Sequence, residues 1–275
     1  YMPDCVISSS ENAGEVLTYF LDNVAAVSGR PWDVFSVRST LENSSIALAN
    51  SDSERYRSIT RNEGGCTLIP VIPYDEAMAA MKTKARQNLN RRRRKFDELG
   101  DVTYTIASSA ADVASALQEY IELEAAGWKG GKGILRGPNK VPLAIALNPT
   151  KQRFYEQAVA EFAASGLIEI FCLRLNGELV AARIWAVLND CCYALKTSYD
   201  ERYDKYSPGT LTFDYAYRFH ADRGDVRFIN AIFKQPALAA WCPQTLHYRT
   251  DLYFNRNPRG RILGMLYPLM AALRK

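Results

Sequence analysis

The sequence predicts an α/β protein with a mixed central sheet flanked by helices. Three observations carry this expectation. Over the first seventy residues, short apolar runs rich in β-favouring residues alternate with helical patterns. Three strands then follow closely between Ile168 and Thr197, linked by Asn176-Gly177 and Asn189-Asp190, both hairpin signals. The last of these runs into Ser207-Pro208-Gly209-Thr210, where a small-residue turn opens a helix with Leu211, Tyr215 and Phe219 on one face.

Each element follows from local chemistry. Asp4 to Ser8 reads as a strand. Glu11 to Ser28 carries Val16, Leu17, Phe20, Leu21 and Val24 on one side and stops at Gly29 and Pro31, which gives an amphipathic helix. Trp32 to Val37 is a strand, Asn43 to Ile59 a helix, and Cys66 to Val71 a strand cut off by Pro70 and Pro73. Tyr74 to Leu99 reads as one long helix, with Asp75 and Glu76 in its first turn and Gly100 after its end. A strand at Val102 to Ile106 and a helix from Ser109 to Trp128 come next. The longest irregular stretch is Trp128 to Pro149, a length usually reserved for functional or mobile loops. A helix from Thr150 to Ala164 precedes the three-strand meander. Beyond the helix at Pro208, strands at Val226 to Ile232 and Tyr248 to Phe254, a short helix at Pro236 to Trp241 and a helix from Leu263 to Arg274 complete the pattern.

Composition removes several function classes. The 275 residues, 48% of them apolar, support a substantial core, and a net charge of +4 is too mild to imply a nucleic-acid partner by itself. No run of about 18 apolar residues indicates a transmembrane helix, and Tyr1 to Ser10 lacks the pattern of a signal peptide. The first residue, a tyrosine, reads as the interior of a longer gene product. The six cysteines have no C-x-x-C spacing, which suits free thiols in a reducing cytoplasm. With only His220 and His247 in the chain, no zinc site is expected, and His220 reads as a packing residue.

Two stretches could meet a ligand. The Ser207 turn aims helix N-terminal N–H groups at one point, as a phosphate or pyrophosphate requires, although an ordinary strand-to-helix turn looks the same. The segment KTKARQNLNRRRRKF, from Lys82 to Lys95 and beyond, is strongly basic. It reads as a solvated helix face, as a surface for an anionic membrane or substrate, or, less well, as a nucleic-acid contact, because no aromatics interleave the charges. Trp128-Lys129-Gly130-Gly131-Lys132-Gly133 lacks the ending of a P-loop, so a nucleoside triphosphate site is not expected.

The order of elements from Asp101 onward resembles the GNAT acyl-CoA N-acyltransferase fold. More specifically, KTKARQNLNRRRRKFDELG, ELEAAGWKGGKG, LRLNGELVAARIW and ALKTSYDERYDKYSPGTL together resemble the acetyltransferase family of the cellulose-biosynthesis-associated CelD/BcsL type, which is related to Fem-type peptidyltransferases. The resemblance implies tandem GNAT-like units. Residues 1–73 would be the later half of a degenerate first unit, 74–100 a basic connecting helix, and 101–275 the second, acyltransferase domain.

It also implies acyl transfer from acyl-CoA or acyl-carrier protein to an amine on a sugar, lipid precursor or amino compound. CoA pyrophosphate would lie against Lys205, Tyr206, Ser207, Gly209, Thr210 and Leu211, where the second glycine of the family's Q/R-x-x-G-x-G/A loop is missing. Amide formation from a thioester needs a proton acceptor and donors for the developing oxyanion. Asp200 and Glu201 are the candidate acceptors, Tyr199 (or Tyr206) the donor to the leaving thiolate, and Lys196 an anion ligand. Trp128, Lys129, Lys234 and Trp241 would line the acceptor side, where Gln235, Ala237 and Leu238 replace the acid, tyrosine and lysine of the relatives' acidic-Pro-Tyr-Lys-x-x-Trp run. No metal is implied. The expected location is cytoplasmic, with a peripheral inner-membrane site, reached through Lys82 to Lys95, as the alternative. Rival readings are Fem-type aminoacyl transfer from charged tRNA and a catalytically degenerate scaffold in envelope polysaccharide assembly.

Overall fold

The structure, a computed structural model, describes residues 13–41, 56–130 and 144–272. The expected strand at Asp4 to Ser8, most of the helix expected at Asn43 to Ile59, and the glycine-rich segment after Gly130 lie outside these residues. The chain divides into two compact units, one of residues 1–66 with 245–275 and one of residues 67–244. The sequence expectation drew its boundaries at 73 and 100 instead.

In the first unit, α1 (Ala13–Ser28) packs Leu17 and Leu21 beside Tyr253, with Trp32 and Phe35 around them. Strand β1 (Val34–Leu41) pairs antiparallel with β8 (Gln244–Phe254), from Val34 opposite Phe254 to Leu41 opposite Tyr248. Helix α7 (Pro258–Ala272) closes the described chain and leaves Ile262, Met265 and Leu269 exposed. Arg57, Ser58 and Ile59 begin strand β2 (Arg57–Pro70) and are not helical, a correction to the expected helix. Isoleucine and threonine at 59 and 60 favour the pleat over the helix once a partner strand is present.

The second unit takes the last residues of β2, where Leu68, Ile69 and Pro70 pair antiparallel with β7 (Phe228–Asn230). The expected single helix at Tyr74 to Leu99 is two helices, α2 (Tyr74–Ala80) and α3 (Thr83–Asp97). Met81 and Lys82 take extended backbone between them, with ψ of 135° and 134°. The break lets Met81 enter the core, which periodicity along one helix axis cannot foresee. Strand β3 (Val102–Ala107) and α4 (Ala110–Ala126), capped by the Ser109 side chain on the Asp112 N–H, follow as expected. Helix α5 (Pro149–Ala164) is capped by Asn148, whose side chain accepts from the Lys151 N–H.

The meander forms as the turns predict. Strands β4 (Ile168–Leu175), β5 (Glu178–Leu188) and β6 (Cys191–Tyr199) pair antiparallel, with β3 against β4. Asn176 and Gly177 both have positive φ, 51° and 83°, the geometry that a two-residue hairpin needs and that asparagine and glycine tolerate. Strand β6 joins β7 in parallel, which makes the sheet mixed, and α6 (Pro208–Arg223) lies between them in sequence. One core fills the face under α6, with Phe171, Trp185, Phe213 and Tyr217. A second fills the face under α4 and α5, with Tyr120, Ile121, Val159 and Ile184.

Candidate active site

Two irregularities of the sheet build the site. Ile184 pairs with Lys196 and Trp185 with Ala194, so Leu195 is an extra residue, a β-bulge. The bulge turns two successive residues toward α4: Leu195 packs in the α4 core and Lys196 meets Glu124. Thr197 and Tyr199 then fall on the α6 face. The second irregularity is the brevity of the parallel pairing. Strand β6 pairs with β7 only over Cys191, Cys192 and Tyr193. β7 ends at Asn230, opposite Tyr193, and Ala231 then donates to the Thr67 carbonyl of β2, so from Ala194 onward the chain after β7 leaves β6. Such a parting leaves one backbone edge of β6 without a neighbouring strand.

On the α4 side lies a buried charge cluster. Glu124 is fully buried. Its Oε1 lies 2.8 Å from Lys196 Nζ and 3.3 Å from Lys129 Nζ, and accepts from Tyr120 OH at 3.2 Å. Its Oε2 accepts from the Ile145 N–H at 2.8 Å. Burial pushes the Glu124 carboxyl up, but Lys196, the Ile145 N–H and Lys129 more than offset it, so the group lies below its usual range. Lys129 Nζ also donates to the Thr197 carbonyl at 2.7 Å, and burial pulls its ammonium below the usual lysine range. Lys196 also stands over the Tyr155 ring at 5.1 Å.

The turn after β6 is a 3-10 segment, Glu201–Tyr206. Asp200 caps it by accepting from the Arg202 N–H at 2.9 Å and Nε at 2.7 Å. Burial pushes the Asp200 carboxyl up, but these Arg202 contacts prevail and hold it low. Glu201 Oε1 accepts from the Trp128 N–H at 2.7 Å, which ties the end of α4 to this turn. Tyr199 OH donates to Asp204 at 3.0 Å. Lys205 Nζ lies 4.9 Å over the Tyr206 ring, which in turn meets Phe96 edge-on.

Ser207 takes a left-handed conformation, φ 56°, and its carbonyl accepts from the N–H groups of Thr210 and Leu211. Pro208 has no N–H. In the first turn of α6, Gly209 therefore supplies the N–H without a backbone partner among these bonds. A Cβ built on Gly209 would meet only the Tyr199 ring, at 3.5 Å, so the space beside it is open.

Of the residues singled out in the sequence, the structure brings together Trp128, Lys129, Lys196, Tyr199, Glu201 and the Ser207 turn. Trp241 is placed elsewhere: it is buried and tilted against Tyr217 at 4.4 Å, a core residue beneath α6. Lys234 is exposed. The basic helix is partly consumed by the fold. Arg93 pairs with Asp214 of α6, to which Tyr74 OH also donates, while Lys84, Arg91, Arg94 and Lys95 face solvent. His220 is a packing residue, stacked on Trp185 and set between Glu169 and Asp225, each at 3.1 Å. Cys192 Sγ lies 3.3 Å from His220, but burial pushes this thiol up, the opposite of an activated nucleophile.

Sequence reasoning does not find Glu124, or Arg183, whose Nε and Nη2 donate to the Gly209 carbonyl at 3.1 and 2.8 Å. Glu124 falls on the apolar stripe of α4, four residues after Tyr120 and three after Ile121. Arg183 interrupts the apolar run Leu179 to Leu188. A charge on a buried stripe was the available signal in both cases.

Residues 83–231, more than half of the chain, match the Acetyltransferase (GNAT) domain family. The chain belongs to this GNAT acetyltransferase family. Solved structures agree on the fold over a longer span. The C-terminal domain of a putative lysylphosphatidylglycerol synthetase from Agrobacterium fabrum is 11% identical, with a TM-score of 0.57, covering 93% of this chain and 77% of its own. L-PGS from Bacillus licheniformis is 12% identical, TM-score 0.53, covering 94% and 77%. FemX is 9% identical, TM-score 0.55, covering 93% and 80%. No curated protein matches the chain. Among the described residues of this GNAT protein, no group of three or more His, Cys, Asp and Glu could hold a metal ion, and no helix is long and apolar enough to cross a membrane.

Proposed function

We propose that this GNAT protein transfers an acyl group from acyl-CoA, or from acyl-carrier protein, to an amine on a sugar, lipid precursor or amino compound. The carrying observation is the parting of β6 from β7 beside the open start of α6. An extended pantetheine arm can pair with the free edge of a strand, and its phosphates then reach the Gly209 N–H with Arg202 and Lys205 nearby. Glu201 is the proton acceptor in this reading. One of its oxygens is used by the Trp128 N–H, and the other has no hydrogen bond among the described residues. Asp200 is committed to Arg202 and serves the turn. Tyr199 is the candidate donor to the leaving thiolate. The amine attacks the thioester carbon, the C–S bond breaks, and the amine proton leaves through Glu201.

In the same reading residues 1–73 are the later half of a degenerate first GNAT-like unit and residues 101–275 the acyltransferase domain, of the CelD/BcsL type, acting in the cytoplasm on a precursor of the cell envelope. Thermal unfolding tests the donor. Acetyl-CoA at a hundred times its Kd should raise Tm by about 5 °C or more, and Gly209→Arg should remove the rise by filling the open space. A second reading, aminoacyl transfer from charged tRNA, is favoured by the exposed Lys84, Arg91, Arg94 and Lys95 of α3. Binding of charged tRNA with no response to any CoA thioester would replace the first reading by the second.

A further inference from the structure

Arg183 lies in the middle of β5 with 5% of its surface exposed. Its polar contacts go to one backbone carbonyl, that of Gly209, from Nε at 3.1 Å and from Nη2 at 2.8 Å. The Phe213 ring lies 5.1 Å from the guanidinium carbon. No carboxylate pairs with Arg183 among the described residues. Three other arginines of this unit do have acids: Arg93 has Asp214, Arg174 has Glu119, and Arg223 has Glu169 and Asp225. Burial pulls the Arg183 guanidinium down to about 10, so it remains a cation at neutral pH. A buried cation without a counter-ion is costly and calls for an anion.

A second observation points to the same place. Thr197 is the register partner of Arg183 across β5 and β6, so both side chains lie on the α6 face. The Thr197 hydroxyl is buried and has no hydrogen-bond partner among the described residues. Its own carbonyl already receives the Lys129 ammonium, which adds positive charge at this residue. Thr197 lies beyond the three residues of β6 that pair with β7, and its cross-strand partner Arg183 donates to Gly209 at the start of α6. A guanidinium without a counter-ion and a hydroxyl without a partner stand opposite each other on neighbouring strands, and one anionic acceptor would satisfy both. The planar fork of an arginine suits a carboxylate in particular.

We propose that Arg183 and Thr197 form a binding site for a carboxylate carried by one of the two substrates. This rests on the acyltransferase reading above. The carboxylate has two sources with one chemistry: the far end of a dicarboxylic acyl group on CoA, or the carboxyl of an amino-acid acceptor.

Titration calorimetry on the whole chain separates them. In the donor arm, succinyl-CoA is compared with butyryl-CoA. In the acceptor arm, L-alanine is compared with L-alaninamide in the presence of acetyl-CoA. One arm should prefer its carboxylate probe at least tenfold, and both Thr197→Val and Arg183→Lys should erase that preference. Thr197→Val removes a hydroxyl that the folded chain does not use, so Tm without ligand should hold or rise. It therefore keeps the test valid if Arg183→Lys fails to fold. No preference in either arm, or a preference that survives Thr197→Val, overturns the proposal. Equal loss for CoA and all its thioesters assigns Arg183 to the common part of CoA and also overturns it. If no CoA compound binds, the acyl-CoA reading falls by itself. Free succinate against succinamide then decides the carboxylate site: a preference abolished by Thr197→Val sustains it, and none ends it.

Discussion

The second unit buries charge in two places, and the two are built differently. Around His220, Glu169 and Asp225 flank the imidazole, and each of these acids has Arg223 as its opposite charge, with Nη1 to Glu169 Oε1 at 2.7 Å. Around β6, one acid, Glu124, serves both Lys129 and Lys196, while Arg183 has no acid among the described residues. Both places lie in the same sheet and the same apolar surroundings. The first gives both acids the same arginine, Arg223, and holds α6 on β4. The second is short of negative charge and lies where β6 parts from β7. The difference separates a cluster that serves folding from one poised for an anionic ligand.

The largest test of this contrast is Glu124→Ala. Removing the acid leaves two lysines uncompensated and should cost about 3–5 kcal/mol of stability, read from urea unfolding. A loss under about 1 kcal/mol would mean that water already screens the cluster. Glu169→Gln should cost less, about 2 kcal/mol, because Arg223 is partly solvated. Its effect on acetyl-CoA affinity should be nil, and a changed affinity would break the distinction between the clusters.

Acid should act on both places in the same direction. The carboxyls of Glu124 and Glu169 are pushed up by burial but held below the usual glutamate range, by Lys196 and the Ile145 N–H in one case and by His220 and Arg223 in the other. Their stabilisation is complete above the unfolded glutamate pKa of about 4.3 and is lost as pH falls through the lower folded values. The urea midpoint should therefore drop below about pH 5, and Glu124→Gln should flatten that limb. An unchanged acid limb in this variant would place the titration elsewhere. The smallest effect expected is that of Asn148→Ala. Loss of the cap on α5 should cost about 1 kcal/mol and leave ligand affinity unchanged, which calibrates a purely structural lesion.

Much of the fold was legible because its signals are local. Asn176-Gly177 and Asn189-Asp190 set the meander, Ser109 starts a helix, and Ser207-Pro208 opens α6. The break at Met81 was not legible, because it depends on a core that the helix meets only after folding. At the site, Lys196, Glu201 and the Ser207 turn stood out by type and position. Trp241, read as an acceptor-side residue, is packed on Tyr217 and Phe213. Glu124 and Arg183 were passed over because a charge within an apolar pattern gains meaning only from the groups that surround it.

The sequence by itself determined the alternation of elements, the hairpins, and the place where a strand hands over to a helix through a small-residue turn. Those depend on backbone preferences and on periodicity within one segment. Tertiary structure decided which charges are matched. Lys196 reaches Glu124 only because a bulge at Leu195 turns it toward α4, and Arg183 lies beside Thr197 only through the register of β5 and β6. Pairing across strands joins residues that are distant in the chain, so the electrostatics of this site exist only once the sheet is formed.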